Sequence, residues 1–122
     1  MKRGSINFLV VKHKRRTRQV SFENIDKLNI LVSAEVKNNL FNIVKVPRTK
    51  LVLNLADIKF IDSSGFTTLN FIAKVSKTFG SNFTLSNVSD EVMELIDIYR
   101  KFNMLEENFN IEKSEIKQLT VA

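Results

Sequence analysis

Residues 50–55 constrain the fold of this chain most strongly, because the run Lys-Leu-Val-Leu-Asn-Leu is apolar at nearly every inner position. A run of this length is far too short to cross a bilayer as a helix. It is typical of a strand that is buried on both faces in a parallel sheet. Parallel strands need crossover connections, which usually contain a helix. The segment therefore predicts an α/β fold in which strands alternate with helices.

The sequence after this strand continues the alternation. Residues 66–76 carry an apolar stripe at helical spacing, and Gly80 is placed to end that helix in a left-handed conformation. Residues 82–86 predict another strand. Ser89 is the predicted N-cap of a further helix, whose first turn carries two acidic residues.

The amino-terminal part predicts a hairpin and a helix. Residues 6–11 have the branched and aromatic content of a strand, residues 13–17 form a polar tip, and residues 18–22 alternate polar and apolar side chains. Ser33 is the predicted cap of the next helix, which Pro47 closes.

Three shorter segments complete the prediction. Residues 24–29 are expected to be a connector, residues 109–111 an edge strand, and the chain is expected to end with a short helix that carries Ile116 and Leu119. At 122 residues the chain is expected to be one domain, 1–122, with residues 1–19 forming the basic strand and hairpin.

The positive charge is concentrated at one end. The net charge is +6, yet seven of the 19 Lys and Arg residues lie in the first 18 positions, and the rest of the chain is nearly neutral. A protein that binds nucleic acid over its whole surface would be basic throughout. No Phe, Tyr or Trp lies within residues 13–18, so that segment offers no platform for base stacking. We therefore do not expect nucleic acid as a partner, although a basic hairpin that binds nucleic acid or an anionic membrane stays open as an alternative.

The chain lacks the residues that most kinds of enzymatic chemistry need. The chain has no Cys, His13 is its only histidine, and Gly4, Gly65 and Gly80 are its only glycines. These residues cannot supply a thiolate metal site, a dinucleotide-binding loop or a plausible catalytic triad. We expect no catalytic residue, no metal and no cofactor. We also expect a cytoplasmic protein with no segment inserted in a membrane, since no apolar run is long enough and the amino terminus is not a secretory signal.

The tetrapeptide Asp62-Ser63-Ser64-Gly65 lies between the buried strand and the helix that follows it. These residue types are favoured at helix N-caps, so the motif on its own is explained by capping. The same position also exposes a serine at the carboxyl end of a strand. Phosphorylation there would add about −1.5 to −2 charges to a surface that a partner could contact.

The order of a hydrophobic strand, the Asp-Ser-Ser-Gly turn, a helix, and a second strand ending in Asn-Val-Ser at 87–89 resembles the STAS family, specifically the bacterial anti-sigma factor antagonists. The resemblance covers residues 20–119. It implies a mixed β-sheet with helices packed on it, and a non-enzymatic protein that binds an anti-sigma factor kinase and so frees a sigma factor. It also implies that the kinase phosphorylates Ser63, which ends the binding, and that a serine phosphatase restores it.

The resemblance also implies a partner-binding surface around the motif. Two positions depart from the family pattern: Asn29 stands where an acidic residue is usual, and Thr67 where a glycine is common. An alternative with the same fold is a regulatory subunit of a transporter or of a stress-signalling complex, in which Ser63 serves only as part of the cap. The residues assigned to partner binding are Asn29, Asp62, Ser63, Ser64, Gly65, Phe66 and Thr67.

Overall fold

The computed structural model describes residues 8–102 and 109–112. In chain order its elements are β1 (Leu9–Lys14), β2 (Thr17–Phe22), β3 (Lys27–Leu28), α1 (Ile30–Val44), β4 (Lys50–Asn54), β5 (Phe60–Ile61), α2 (Ser63–Phe79), β6 (Asn82–Ser86), α3 (Asp90–Lys101) and β7 (Asn110–Ile111).

Five of the strands form one sheet in the order β1-β2-β4-β6-β7. Strands β1 and β2 form an antiparallel hairpin, whereas β2, β4, β6 and β7 run parallel. Strands β3 and β5 form a separate parallel pair. The predicted α/β class, with a mixed sheet and an amino-terminal hairpin, is confirmed.

The core is built around β4, the central strand of the sheet. Its residues Leu51, Val52 and Leu53 are buried, as expected for a strand covered on both faces. Helices α1 and α2 pack against each other, and α2 contributes the fully buried Leu69 and Ile72 to the same core. Burial of these side chains is the main source of stability for the fold.

Two helix boundaries are confirmed at the predicted residues. Helix α2 ends at Gly80, which has φ 74° and so adopts the left-handed conformation that glycine tolerates best. Helix α3 begins after Ser89, whose hydroxyl oxygen accepts a hydrogen bond from the Val92 amide at 3.1 Å.

The predicted start of α1 is wrong. The helix begins at Ile30 with Asn29 as its N-cap, and the Asn29 side chain accepts a hydrogen bond from the Leu31 amide. Ser33 lies one turn inside the helix, where its hydroxyl donates to the Asn29 carbonyl oxygen at 2.6 Å. The apolar stripe misled the prediction because Ile30 and Leu31 in the first turn face outward and do not belong to it.

The predicted hairpin tip is also too long. His13 lies in β1 opposite Arg18, and the turn is confined to Arg15 and Arg16. Pairing between strands uses the backbone, so it continues through polar residues that carry no strand signal. The amino-terminal part of the predicted strand, residues 6–7, lies outside the described residues.

The short pair β3–β5 was not predicted: β3 lies in the segment expected to be a connector, and β5 lies between β4 and α2. Of the last two predicted elements, the edge strand appears as β7, and the helix with Ile116 and Leu119 lies outside the described residues. No helix within residues 8–102 and 109–112 is long and apolar enough to cross a membrane.

Leu53→Ala tests the core. Leu53 has no exposed surface, so truncation should lower the free energy of unfolding by about 2–5 kcal/mol through lost burial and a residual cavity. Leu31→Ala is the matched control, because Leu31 is 86% exposed and its truncation should change stability by less than about 0.5 kcal/mol. Equal losses in urea denaturation would contradict the placement of β4.

Candidate functional site

The candidate site lies at the edge of the sheet where the parallel strands end, called here the carboxyl edge. After β4 the chain passes through a short loop and β5 and then enters α2 at Ser63. Strand β3 pairs with β5, and the Asp62 amide donates to the Leu28 carbonyl oxygen at 3.1 Å. This pairing brings the first turn of α1 beside the first turn of α2.

Asp62 joins the beginnings of these two helices. Its Oδ1 accepts hydrogen bonds from the Gly65 amide at 2.9 Å and from the Ser64 hydroxyl at 2.6 Å. Its Oδ2 accepts from the Ile30 amide of α1 at 3.2 Å. One carboxylate thus satisfies amides of two helices that would otherwise lack an intrahelical partner.

These contacts determine the ionisation of Asp62. Partial removal from water tends to raise the pKa of the carboxyl group, because it disfavours the charged form. Hydrogen bonds from the Ser64 hydroxyl and from the Gly65, Ile30 and Ser64 amides outweigh this effect, so the pKa lies below its ordinary value. Asp62 is therefore a carboxylate at neutral pH.

The Ser64 hydroxyl is held inside this network. Its oxygen lies 2.6 Å from the Asp62 carboxylate and 3.0 Å from the Ser33 hydroxyl of α1. Ser33 is buried, and Ser64 is half-buried. Ser64 therefore connects α1 with α2, and a group attached to its oxygen would break the connection.

The adjacent Ser63 is in a different environment. Its side chain is exposed, and its hydroxyl makes no hydrogen bond to any residue within 8–102 or 109–112. Its carbonyl oxygen accepts from the hydroxyl of Thr67, one turn along, at 2.8 Å, and Thr67 is exposed as well. Ser63 and Thr67 are thus the accessible side chains of the motif.

Gly65 and Phe66 lie beneath that surface. A Cβ atom on Gly65 would overlap the Leu28 carbonyl oxygen and lie 2.7 Å from Cγ2 of Ile61, so glycine permits the close approach of β3 and α2. The Phe66 ring is buried and packs on the ring of Tyr99 in α3, with centroids 4.2 Å apart. Both residues support the site from below, and neither presents a surface to a partner.

Asn29, the remaining residue assigned to the site, caps α1 and is half-buried beside Asp62. The sequence prediction missed its apolar neighbours Ile30 and Leu31, which are 71% and 86% exposed. Because the Ile30 amide binds Asp62, these side chains lie close to the motif. The signal in the sequence was an apolar pair directly after a good capping residue and outside the apolar stripe of the helix.

A family model described as STAS domain matches residues 10–115. The match includes the whole of the site described above.

Several solved structures share this fold. An anti-sigma-factor antagonist (STAS) domain protein from Planctomyces limnophilus superposes with a TM-score of 0.73 at 16% identity, covering 96% of this chain and 98% of that one. The Bacillus cell fate determinant SpoIIAA in its phosphorylated form gives 0.60 at 15% identity, with 93% and 99% covered. A sulfate transporter family protein from Wolinella succinogenes gives 0.58 at 15% identity, with 89% and 91% covered. At these identities the similarity establishes the fold.

Gly65→Ala tests the close packing of α2 against β3. At an open helical position this change would stabilise a protein by about 1 kcal/mol, because alanine is the better helix former. Here we expect a loss of about 1–3 kcal/mol in the free energy of unfolding, since the new methyl group meets backbone. Stabilisation by this substitution would contradict the described contact.

Asp62→Asn tests the shared carboxylate through its pH dependence. The folded pKa is lowered, so the carboxylate stabilises the fold above its ordinary pKa of 3.8, and the contribution is lost as the pH falls through the folded value. We expect the variant to be less stable than the original by about 1 kcal/mol at neutral pH, and we expect the difference to shrink in acid.

Denaturant titrations of both proteins across this pH range measure the effect. Asp57→Asn is the control, because the exposed Asp57 carboxylate makes no hydrogen bond within the described part of the chain. A stability difference for Asp62→Asn that stays constant down to the lowest pH would show that the charge of Asp62 is not what the site uses.

Proposed function

The chain belongs to the STAS domain family, and we propose that within it this protein is an anti-sigma factor antagonist switched by phosphorylation of Ser63. The unmodified protein binds an anti-sigma factor kinase, and that binding frees a sigma factor. The kinase phosphorylates Ser63 and thereby ends the binding, and a serine phosphatase restores it. In this scheme the chain is a binding protein and a phosphate acceptor, without catalytic residues of its own.

The observation that carries the proposal is the difference between two adjacent serines. The Ser63 hydroxyl is exposed and makes no hydrogen bond to the described residues, so a kinase can reach it without disturbing the fold. The Ser64 hydroxyl is held by Asp62 and Ser33. Transfer of phosphate to Ser64 would break those contacts, so the geometry favours Ser63 as acceptor.

A phosphate on Ser63 is compatible with the folded protein. Ser63 is the first residue of α2, where free amides and the helix dipole favour negative charge. The neighbouring Asp62 carboxylate opposes a second anion, but its own charge is already neutralised in part by the amides that it binds. The domain should therefore remain folded after modification.

The modification would change the surrounding surface much more than the fold. Ile30 and Leu31 present exposed apolar side chains beside the motif, and such a surface suits a partner that buries it. About −1.5 to −2 charges at Ser63 would have to lose water or meet the partner's own charges on binding. Release on phosphorylation is thus explained by desolvation and repulsion at the interface.

A second function is favoured by the similarity to the sulfate transporter family protein. In that case the chain would regulate a transporter, and Ser63 would be only a structural residue at the start of α2, without a phospho-switch. The two functions differ in what a charge at Ser63 should do to partner binding.

Ser63→Ala and Ser63→Glu separate these functions. Both variants should fold: the exposed Ser63 hydroxyl makes no hydrogen bond within the described residues, so alanine should change stability by less than about 0.5 kcal/mol, and glutamate is favoured at a helix N-terminus. Alanine leaves the surface uncharged and should keep the anti-sigma factor kinase bound. Glutamate should weaken that binding at least tenfold. Binding is measured by calorimetry against the anti-sigma factor kinases of the same organism, with ATP and the nucleotide-free state compared.

Thr67→Glu is the matched control for charge. It adds the same charge one turn further along the exposed face, so a smaller effect than that of Ser63→Glu assigns the switch to Ser63. Phosphate transfer is followed by intact mass and peptide mapping. Equal binding by Ser63→Ala and Ser63→Glu, or transfer to Ser64 with Ser63 unmodified, would contradict the proposal.

A further inference from the structure

The edge of the sheet opposite Ser63, called here the amino edge, consists of three neighbouring loops. The turn of the hairpin is tied to β4 by the Lys50 amide, which donates to the Arg16 carbonyl oxygen at 2.9 Å. The loop after α1 is tied to the turn after α2 by the Arg48 amide, which donates to the Gly80 carbonyl oxygen at 2.9 Å. The three loops therefore form one continuous surface.

This surface is strongly basic. The exposed Lys and Arg side chains of these three loops make no ion pair to any residue within 8–102 or 109–112. Many acidic side chains lie instead at the carboxyl edge, in the loops after β2 and β4 and at the starts of α2 and α3. We define the basic amino edge as Lys14, Arg15, Arg16, Lys45, Arg48 and Lys50.

Two arginines of the basic amino edge have a backbone conformation that favours glycine. Arg15 has φ 57° and Arg48 has φ 65°, in the left-handed region that side chains with a Cβ adopt at a cost. Within residues 8–102 and 109–112, the other non-glycine residues with positive φ are Asn24 and Asn87, and asparagine is the residue type that tolerates this region best after glycine. Glycine at 15 and 48 would avoid that cost, so the backbone itself does not call for arginine at either position.

Exposed apolar side chains lie among these cations. Val46, between Lys45 and Arg48, is 52% exposed, and Phe79 at the end of α2 is 38% exposed. Lys45 is also explained by its place after a helix carboxyl end, where cations are favoured, but that explanation does not apply to the arginines of the hairpin. Cations around exposed apolar groups match the boundary of an anionic bilayer, which takes up both.

A nucleic acid fits this surface less well. Its phosphates would meet the cations, but nothing in a phosphate backbone would bury Val46. The hairpin has no Phe, Tyr or Trp between Leu9 and Ser21 on which a base could stack, and the Phe79 ring is already packed in a T-shaped contact with Phe41. We propose that the basic amino edge is a docking site for an anionic lipid surface, independent of the Ser63 site at the opposite edge.

Flotation of the full chain with vesicles tests this proposal. We expect binding to vesicles of equal parts phosphatidylcholine and phosphatidylglycerol, a decline with added salt, and no binding to pure phosphatidylcholine. Each cation near an anionic surface contributes about fivefold to partitioning. Arg15→Gly with Arg48→Gly should therefore weaken binding by more than about tenfold, while relief of the left-handed strain keeps the melting temperature at least as high.

A matched control removes the same charge elsewhere. Lys27→Ser with Lys59→Ser takes two exposed cations from the carboxyl edge, and it should leave vesicle binding within about twofold because those groups face away from the membrane. Val46→Ser should also weaken binding, with the salt dependence kept, since it removes only the apolar contact.

Three results would overturn the proposal. The first is no binding of the unaltered chain to the anionic vesicles. The second is an equal loss in the two double variants, which would mean that only net charge matters. The third is tighter binding to duplex DNA or to an acidic protein than to the vesicles, with Val46→Ser without effect, which would assign the basic amino edge to that partner.

Discussion

The beginnings of α1 and α2 depend on one carboxylate. Asp62 accepts the Gly65 amide on one oxygen and the Ile30 amide on the other, although Ile30 lies 32 residues earlier in the chain. A helix begins with amides that the helix itself cannot satisfy. Here the Asp62 carboxylate accepts hydrogen bonds from such amides of both helices, so the two helices must start side by side. The place and direction of Ser63 follow from that arrangement.

The same arrangement gives two neighbouring serines opposite roles. Ser64 points into the gap between the helices, where it contacts Asp62 and Ser33, and Ser63 points out of it. Gly65 lets β3 pass close to α2, because the Leu28 carbonyl oxygen lies where a Cβ would be. An exposed serine thus lies next to one whose hydroxyl is held between two helices. Accessibility is set by packing here, since the two side chains are chemically identical.

The sequence predicted those parts of the fold whose cause is local. Strands β4 and β6, the end of α2 and the start of α3 were found where expected, because an apolar run, a left-handed glycine or a capping serine acts within a few residues. The start of α1 was placed too late, because Ile30 and Leu31 in its first turn face outward and do not belong to the apolar stripe of the helix. The pair β3–β5 was missed, since strands of two residues show no period.

For the candidate site too, the sequence predicted what is local and did not predict what depends on tertiary packing. The tetrapeptide at 62–65 drew attention to the motif, but which of its side chains are exposed depends on tertiary packing. Phe66 was assigned to the partner surface and is buried against Tyr99, whereas Ile30 and Leu31 were overlooked and are exposed. Sequence reasoning therefore located the site along the chain and did not determine its surface.

The parallel strands also separate positive from negative charge along one direction of the molecule. They separate the cations at 14–16 and 45–50 from the carboxylates near Asp62 by about the length of a strand, roughly 15–20 Å. A molecule with such a dipole moment turns as it approaches a charged body, so its encounters with an anionic target and with a cationic one begin at opposite ends. A phosphate at Ser63 would increase the dipole moment of the molecule and lower its net positive charge. Modification at one end would then change how fast, and in which orientation, the other end meets its target.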